Sequence, residues 1–322
     1  MLTDEQVAEL VTAMVGTSVL PSLNAGYTYL GQMISHDIVP PSNDASRIVG
    51  KELWLRSLYD SNGTPPPCFD TRGRFHVGAG DLARNEDGLA LIPEQRNDEN
   101  VLISQLHLFW QKLHNALIDK RLVTDPSEAE RVTVKLFQLV VIEDYLRQIL
   151  SQRVFDFHFR DGKQLLHLTG DQLPDVFSKA VFRFGHTMVR EEYRLRPGGN
   201  STSLLELFRS GKPASSEHSI DWRLFFGPDS PQQGGVQSAS GIDPSIGEPM
   251  QEIRRTTATV RIIQANLAAG AALPTGISLV ERILTDHPNS RRSFDLRPLY
   301  VLAGSLGNLS FGIDKLPLWP YV

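Results

Sequence analysis

Residues 99–122, ENVLISQLHLFWQKLHNALIDKRL, contain the strongest structural signal in the sequence. Apolar side chains recur there every three or four residues, which is typical of a helix that buries one face. The residues of this apolar stripe are Leu102, Leu106, Phe109, Leu113, Ala116 and Leu117. The pattern predicts a long amphipathic helix from about Glu99 to Leu122.

Three further helices are indicated by the same kind of pattern. They cover residues 126–152, residues 173–190 and residues 253–273, and Pro274 ends the last of them. Strand signals are short and scattered along the chain. The predicted fold class is therefore mainly α, with little β-structure.

Long loops separate these helices. Residues 59–74, 195–203 and 227–249 are rich in proline, glycine and other turn-forming residues. None of them brackets enough chain on both sides to separate an independent domain. We therefore expect one domain over residues 1–322, a mainly helical domain with long loops.

Composition and charge narrow the class of protein. Hydrophobic residues make up 41% of the chain and charged residues 21%, which is ordinary for a globular protein. The formal net charge of −5 leaves no basic stripe, so the chain is a poor candidate for binding nucleic acid or a membrane surface. The single cysteine, Cys68, excludes an intramolecular disulfide and a cysteine-based metal cluster.

The N-terminal residues, MLTDEQVAELVTAMVG, carry acids where a secretory signal carries basic residues. They predict an amphipathic helix with Thr3 as its N-cap, Gln6 completing a capping box and Gly16 at its end. No apolar run in the chain approaches the roughly 20 residues that span a bilayer. We expect a cytoplasmic protein with no membrane span.

Several common catalytic motifs are absent: HExxH, GxxxxGK and GxSxG. His107 and His114 lie seven residues apart on one face of the first predicted helix. Two helical turns separate them by about 10 Å, too far for both to bind one metal ion without other ligands. We interpret both as histidines that pack in the core with hydrogen-bond partners.

Three other segments contain side chains that are harder to explain by packing. YTYLGQMISHDIVPPSN (27–43) places His36 beside a carboxylate and before a Pro-Pro break. IPEQRNDENVLISQLH contains Arg96 at the start of a helix, where the helix dipole does not favour a cation. FRFGHTMVRE surrounds His186 with apolar side chains, where an imidazole needs a partner or a metal.

Together these segments resemble the signatures of the animal haem peroxidase superfamily, the myeloperoxidase and cyclooxygenase type, and are most similar to its soluble bacterial members. GQMISHD resembles the distal-histidine signature, RNDENVLISQLHLFWQKLHN the arginine–glutamate helix, and FRFGHT the proximal-histidine signature. The three occur in the family's order, and the similarity covers roughly residues 26–280. One such signature could arise by chance, whereas three in order are specific.

The resemblance implies a helical haem peroxidase fold and a haem b cofactor. His36 would be the distal acid–base residue, with Arg96 as its charged partner beside the haem and Gln32 lining the same pocket. His186 would be the axial ligand of the haem iron. Glu99 stands where some relatives form an ester to a haem methyl group.

The same resemblance implies an activity. A peroxidase of this kind reduces hydrogen peroxide through a ferryl intermediate and oxidises small phenolic or halide donors, so its partners are small molecules. Two alternatives remain open: a haem-dependent fatty-acid oxygenase, and a haem-binding sensor or scaffold with little turnover. The oxygenase would need a tyrosine near the haem edge, and Tyr145 and Tyr193 are candidates.

Some positions depart from the family pattern. Ser35 stands where mammalian members carry an aspartate that forms a second haem ester, so at most one covalent link, through Glu99, is expected. Asp37 matches a calcium ligand, but Trp54 and Arg56 in KELWLRSLYD stand where the other ligands are expected. A guanidinium repels Ca²⁺, so calcium is not expected here.

The proximal side departs as well. Ile277 stands where an asparagine or glutamine usually supports the proximal histidine. We therefore expect another group to hold His186, such as a backbone carbonyl or Asn266.

Overall fold

The structure is a computed structural model that describes residues 2–16, 23–39, 53–60, 67–162, 173–208, 213–227, 235–242, 245–254, 259–286, 309–310 and 315. Helices predominate in these residues, which confirms the predicted fold class. Within the same ranges no helix is both long enough and apolar enough to cross a membrane. The single domain over residues 1–322 stays a prediction.

The elements are as follows. The α-helices are α1 (Asp4–Met14), α2 (Gly26–Ile38), α3 (Arg56–Tyr59), α4 (Val101–Asp119), α5 (Pro126–Val140), α6 (Leu146–Ile149), α7 (Gln152–Phe155), α8 (Asp175–Lys179), α9 (Leu204–Leu207), α10 (Arg223–Phe226), α11 (Glu248–Gln251), α12 (Ile262–Gly270) and α13 (Gly276–Asp286). Short 3-10 helices span Gln95–Asp98, Val181–His186 and Ser216–His218, and π-helical segments span Val141–Tyr145 and Asp156–Arg160. Two antiparallel pairs of strands are present, β1 (Glu192–Arg194) with β2 (Ser201–Ser203) and β3 (Ile253–Arg254) with β4 (Thr259–Val260).

The capping signal that the sequence predicts at the start of α1 is confirmed, whereas the cap of α4 was not predicted. Thr3 caps α1, and the Gln6 side chain completes the capping box. Helix α4 begins after Asn100, whose side-chain oxygen accepts from the amide of Ile103 at 3.0 Å. The prediction that Phe109 belongs to the buried face of α4 is wrong, because its side chain is 45% exposed.

The other predicted helices are shorter than expected. The chain from Pro126 turns into a π-helical segment at Val141, and α6 then ends at Ile149. The predicted helix at residues 173–190 divides into α8 and a 3-10 helix at Ala180, whose φ of −133° and ψ of −68° are not helical. The predicted helix at residues 253–273 begins instead as the β3–β4 pair, and only α12 is helical.

Helix α2 lies at the centre of the described fold. It contacts α4, α10, α3 and the 3-10 helix Val181–His186. Most of its side chains are buried in the main core, including Tyr29, Leu30, Met33 and Ile34. The residues that the sequence predicts for the distal site are thus carried by a helix that neighbours fix on several sides.

Candidate functional site

His36 and Gln32 lie on one side of α2. They are four residues apart, about one helical turn, so their side chains leave the helix in similar directions. Both are half-buried, whereas their neighbours Met33 and Ile34 are fully buried. The Gln32 side chain makes no hydrogen bond to any residue that the structure describes. Helix α2 therefore carries a polar strip on an otherwise apolar surface.

Arg96 is bound to the end of that helix. Its Nε donates to Oε1 of Glu94 at 2.9 Å and its Nη2 to Oε2 at 2.8 Å. Nη2 also donates to the main-chain oxygens of His36 at 3.1 Å and Val39 at 2.8 Å. The usual helical partner of the His36 oxygen would be the amide of residue 40, and Pro40 has no N–H. Arg96 therefore replaces a missing helix bond directly at His36.

The carboxylate that holds Arg96 is ionised over the whole working range. Burial raises the pKa of Glu94, but the hydrogen bonds and charge of Arg96 outweigh it and lower the pKa to about 2. Glu94 is only 2% exposed, so this ion pair is shielded from solvent. The pair keeps Arg96 in place and leaves its Nη1 without a hydrogen bond to a described residue.

Replacing Glu94 should cost stability in a pH-dependent way. The pKa of Glu94 is about 2 in the fold and 4.5 as a model value, so its ionisation stabilises the fold above pH 4.5 and that contribution is lost as the pH falls towards 2. The contribution is roughly 3 kcal/mol. We expect Glu94→Gln to lower the free energy of unfolding by about this amount at pH 7, with a smaller difference at pH 3. Urea titrations at the two pH values measure it.

Glu143→Gln is the matched control. Glu143 pairs with Arg147 at 2.6 Å on the surface, where its side chain is 50% exposed. Such a pair contributes at most about 1 kcal/mol, so this variant should lose little stability at either pH. A Glu94→Gln difference that is the same at pH 7 and pH 3 would contradict the role given to the carboxylate.

Asn97 links His36 to a buried histidine. The Nδ1 of His36 lies 2.7 Å from Oδ1 of Asn97, and the Nδ2 of Asn97 lies 3.0 Å from Nδ1 of His107. His107 is fully buried on α4, and burial lowers its pKa to about 3, so its imidazole is neutral. The sequence interpretation of His107 as a packing residue is therefore incomplete, because it contacts the site through Asn97.

His114 fits the packing interpretation. Its Nδ1 lies 2.9 Å from the hydroxyl of Tyr59, and its Nε2 donates to the main-chain oxygen of Gly73 at 3.0 Å. The ring also packs edge-on against Phe75, with 5.0 Å between the ring centroids. Both ring nitrogens are thus used in holding α4 to the loop that precedes it.

Asp37, next to His36, is directed to the main chain of the α3 region. Its two carboxylate oxygens accept from the amides of Leu55 at 3.0 Å and Ser57 at 2.9 Å. Burial raises the pKa of Asp37 to about 6 against the lowering effect of these hydrogen bonds. Leu55 has a φ of 53°, a left-handed conformation that is strained for a leucine. Asp37 therefore holds a strained turn beside the site.

His186 ends a 3-10 helix that packs against α2. Asn266 of α12 supports it, with Nδ2 of the amide 2.8 Å from Nδ1 of the imidazole. Arg183 orients that amide, because its Nη1 donates to Oδ1 of Asn266 at 2.9 Å. We expected either a backbone carbonyl or Asn266 to hold His186, and the structure shows Asn266 in that position.

A haem iron would have to be bound through Nε2 of His186, because Asn266 occupies Nδ1. The Asn266 oxygen accepts from Arg183, so its NH₂ group donates to Nδ1 and the proton of the neutral imidazole lies on Nε2, where iron would displace it. A Cβ added at Gly185, the residue before His186, would meet no atom within 4 Å among the described residues outside its chain neighbours. No group of three or more His, Cys, Asp or Glu side chains that could hold a metal ion is found in the described ranges.

The other residues that the sequence suggests for the site are Glu99, Tyr145 and Tyr193. The half-buried Glu99 follows the 3-10 helix of Arg96, and its amide donates to the Arg96 oxygen at 3.3 Å. Tyr145 lies against the back of α2, since a Cβ on Gly31 would be 2.5 Å from its hydroxyl. Gly31 is five residues before His36, about 140° round the helix. Tyr193 is fully buried, and its hydroxyl accepts from the amide of Arg190 at 2.8 Å.

The structure places Gln32 and His36 one turn apart on α2, binds Arg96 to the main chain at the C-terminal end of that helix, and places His186 on a neighbouring element. Sequence reasoning missed Glu94 and Asn97. An acid two residues before Arg96 was a weak signal for the first. No sequence signal pointed to Asn97, because its contact with His36 spans 61 residues of chain.

Comparisons with known proteins point to the family that the sequence motifs resemble. Residues 80–219 match the family model for animal haem peroxidase, a range that contains Arg96, Glu99 and His186. Thyroid peroxidase of Sus scrofa is 29% identical over 107 residues, which cover 31% of this chain and 12% of the pig protein's length.

Two solved structures are similar in fold. Peroxidase A of Dictyostelium discoideum has a TM-score of 0.64 at 14% identity, over 98% of this chain and 76% of that one. Fatty acid alpha-dioxygenase of Oryza sativa has a TM-score of 0.64 at 13% identity, over 99% of this chain and 68% of that one. At such identities the likeness concerns the fold. The family match, which covers 140 of the 322 residues, and the shared fold show that this chain is similar to animal haem peroxidases.

Proposed function

We propose that this chain is a haem-dependent peroxidase that reduces hydrogen peroxide and oxidises small phenolic or halide donors. His186 would hold haem b through Nε2, and Glu99 would form the one ester link. When bound, haem would supply the electrons that reduce peroxide, and the donor would restore them. We further propose a cytoplasmic enzyme similar to the bacterial members.

The contact between His36 and Asn97 carries this proposal. The Oδ1 of Asn97 accepts a hydrogen bond from Nδ1 of His36 at 2.7 Å, so Nδ1 carries the proton of the neutral imidazole. The lone pair is then on Nε2. His36 can therefore take a proton from hydrogen peroxide at Nε2 and return it to the oxygen that leaves as water.

Arg96 supplies a fixed positive charge for the same step. Its Nε and Nη2 are bound by Glu94 and by the end of α2, and we propose that Nη1 interacts with the reacting oxygens. A guanidinium held in this way stabilises the negative charge that develops on the leaving oxygen without having to reorient. The amide of Gln32, one turn before His36 on the same side of α2, would help to orient peroxide.

A fatty-acid oxygenase is the second candidate, because the fold matches the Oryza sativa dioxygenase with the same TM-score as the Dictyostelium discoideum peroxidase. Tyr145 is a poor radical residue for it, since its hydroxyl lies on the side of α2 away from His36. Tyr193 stays a candidate, since its ring packs against Tyr29, seven residues before His36 on the same face of α2.

Turnover assays distinguish the two candidates. The full chain loaded with haem is given hydrogen peroxide and a phenolic donor, and separately a fatty acid and dissolved oxygen. We expect oxidised phenol at a rate well above that of the same concentration of free haem, and no uptake of oxygen with the fatty acid. Oxygen uptake that depends on the fatty acid and is lost in Tyr193→Phe would favour the oxygenase and contradict the proposal.

A further inference from the structure

A continuous hydrogen-bonded chain leads from His36 into the core. It runs from Nδ1 of His36 to Oδ1 of Asn97 over 2.7 Å, and from Nδ2 of Asn97 to Nδ1 of His107 over 3.0 Å. Asn97 and His107 are both fully buried. The chain ends there, because Nε2 of His107 has no hydrogen-bond partner within the described part of the protein.

The Asn97 amide makes the tautomer of His36 and the tautomer of His107 depend on each other. The amide oxygen only accepts and the amide nitrogen only donates, so each histidine must offer the complementary nitrogen. With the oxygen towards His36, the proton of His36 is on Nδ1 and that of His107 is on Nε2. A reversed amide would reverse both tautomers at once, and Nε2 of His36 would then carry a proton and could not accept another.

The protonation of the two histidines favours the orientation in which the Asn97 oxygen faces His36. When His36 takes up a proton it has an N–H on both nitrogens, and a reversed amide would then set its NH₂ group against the Nδ1–H. His107 cannot compensate by accepting a proton, because burial lowers its pKa to about 3. The orientation of the structure is thus compatible with His36 both before and after it accepts a proton.

We propose that Asn97 and His107 are positioning residues that hold the proton of His36 on Nδ1 and so keep the lone pair on Nε2. His107 acts only through the amide, as a buried acceptor that fixes which way round Asn97 lies. This inference rests on the proposed function, in which Nε2 of His36 is the base. Neither residue touches the substrate.

The tautomers themselves are the most direct test. The full chain, labelled with ¹⁵N in histidine only, is studied by two-bond ¹H–¹⁵N correlation NMR at about pH 8, above the ordinary titration range of histidine. We expect a protonated Nδ1 in His36 and a protonated Nε2 in His107. A protonated Nε2 in His36, or averaging of the two forms there, would overturn the proposal.

Variants test the same point through two readouts. Asn97→Leu keeps the size of the side chain and removes both hydrogen bonds, and His107→Phe removes the buried acceptor. We expect both to move the His36 proton towards Nε2, the tautomer that free histidine prefers. In the haem-loaded protein we expect the rate constant for peroxide to fall about 10-fold to 100-fold, a part of what an acid–base group contributes.

His114→Phe is the matched control. It removes a second buried histidine from α4 and two hydrogen bonds, but none of them belongs to the chain from His36. We expect the His36 tautomer and the peroxide rate to be unchanged in this variant. If His114→Phe shifts the tautomer as much as His107→Phe does, the effect is general loosening of α4 and the proposal is wrong.

The NMR readout also distinguishes this inference from the proposed function, because it requires neither haem nor turnover. The expected tautomers in a chain without peroxidase activity would refute the proposed function and leave the positioning roles standing. Peroxidase activity together with the opposite tautomers would support the proposed function and refute the positioning roles.

Discussion

His36→Ala is expected to lower the rate constant for peroxide reduction by the haem-loaded protein about 100-fold to 10,000-fold, the usual contribution of a positioned acid–base group. Haem binding should stay intact, because the proposed iron ligand is His186. Stopped-flow absorbance at several peroxide concentrations gives the rate constant. His76→Ala is the control, since this histidine is exposed on the surface and should leave the rate unchanged.

A substitution of Arg96 tests the same distal site a second time. Arg96→Lys keeps a positive charge but loses the planar group that contacts both Glu94 and the end of α2. We expect it also to slow the reaction with peroxide, with an effect that does not add to that of His36→Ala, because the two residues act on the same step. Full activity in either variant would contradict the distal site described here.

His186→Ala is expected to produce the second large effect, a loss of haem affinity on the order of 100-fold or more, equivalent to about 3 kcal/mol. The imidazole is the proposed axial ligand, and alanine provides no atom that can bind iron. Absorbance titration with haem at constant protein concentration measures the affinity. An unchanged spectrum and affinity in His186→Ala would show that the iron is bound elsewhere.

Asn266→Leu should give an intermediate result. Its amide holds Nδ1 of His186 and is itself held by Arg183, so the substitution frees the orientation of the imidazole but leaves the ligand in place. Loss of such an outer partner usually lowers metal affinity about 10-fold to 100-fold. An effect as large as that of His186→Ala would mean that Asn266 supports the fold rather than the ligand.

Local signals in the sequence were sufficient for part of the fold. The apolar stripe of residues 99–122 predicted α4, and Thr3 with Gln6 predicted the start of α1, because periodicity and capping depend on residues a few positions apart. Helix interruptions were not predicted. The break at Ala180 and the π-helical segment at Val141 depend on tertiary packing, which overrides local preference.

For the candidate site, the sequence pointed to the residues that we propose act on the substrate but not to the groups that hold them. His36, Arg96 and His186 were found by signature and by unusual surroundings. Asn97 was not found, because its contact with His36 spans 61 residues of chain. Glu94 was also missed, although it is only two residues from Arg96. The ion pair of Asp98, whose two oxygens accept from Arg84 at 2.6 Å and 2.7 Å, was not predicted either.

The central claim is that this chain binds haem and uses it to reduce peroxide, and the absorbance spectrum of the full chain tests it most directly. Haem is titrated into the purified protein, and one equivalent of hydrogen peroxide is then added. The account predicts a Soret band that saturates at one haem per chain and that changes within seconds of adding peroxide. A spectrum identical to that of free haem, or a bound haem whose band peroxide leaves unchanged, would contradict it.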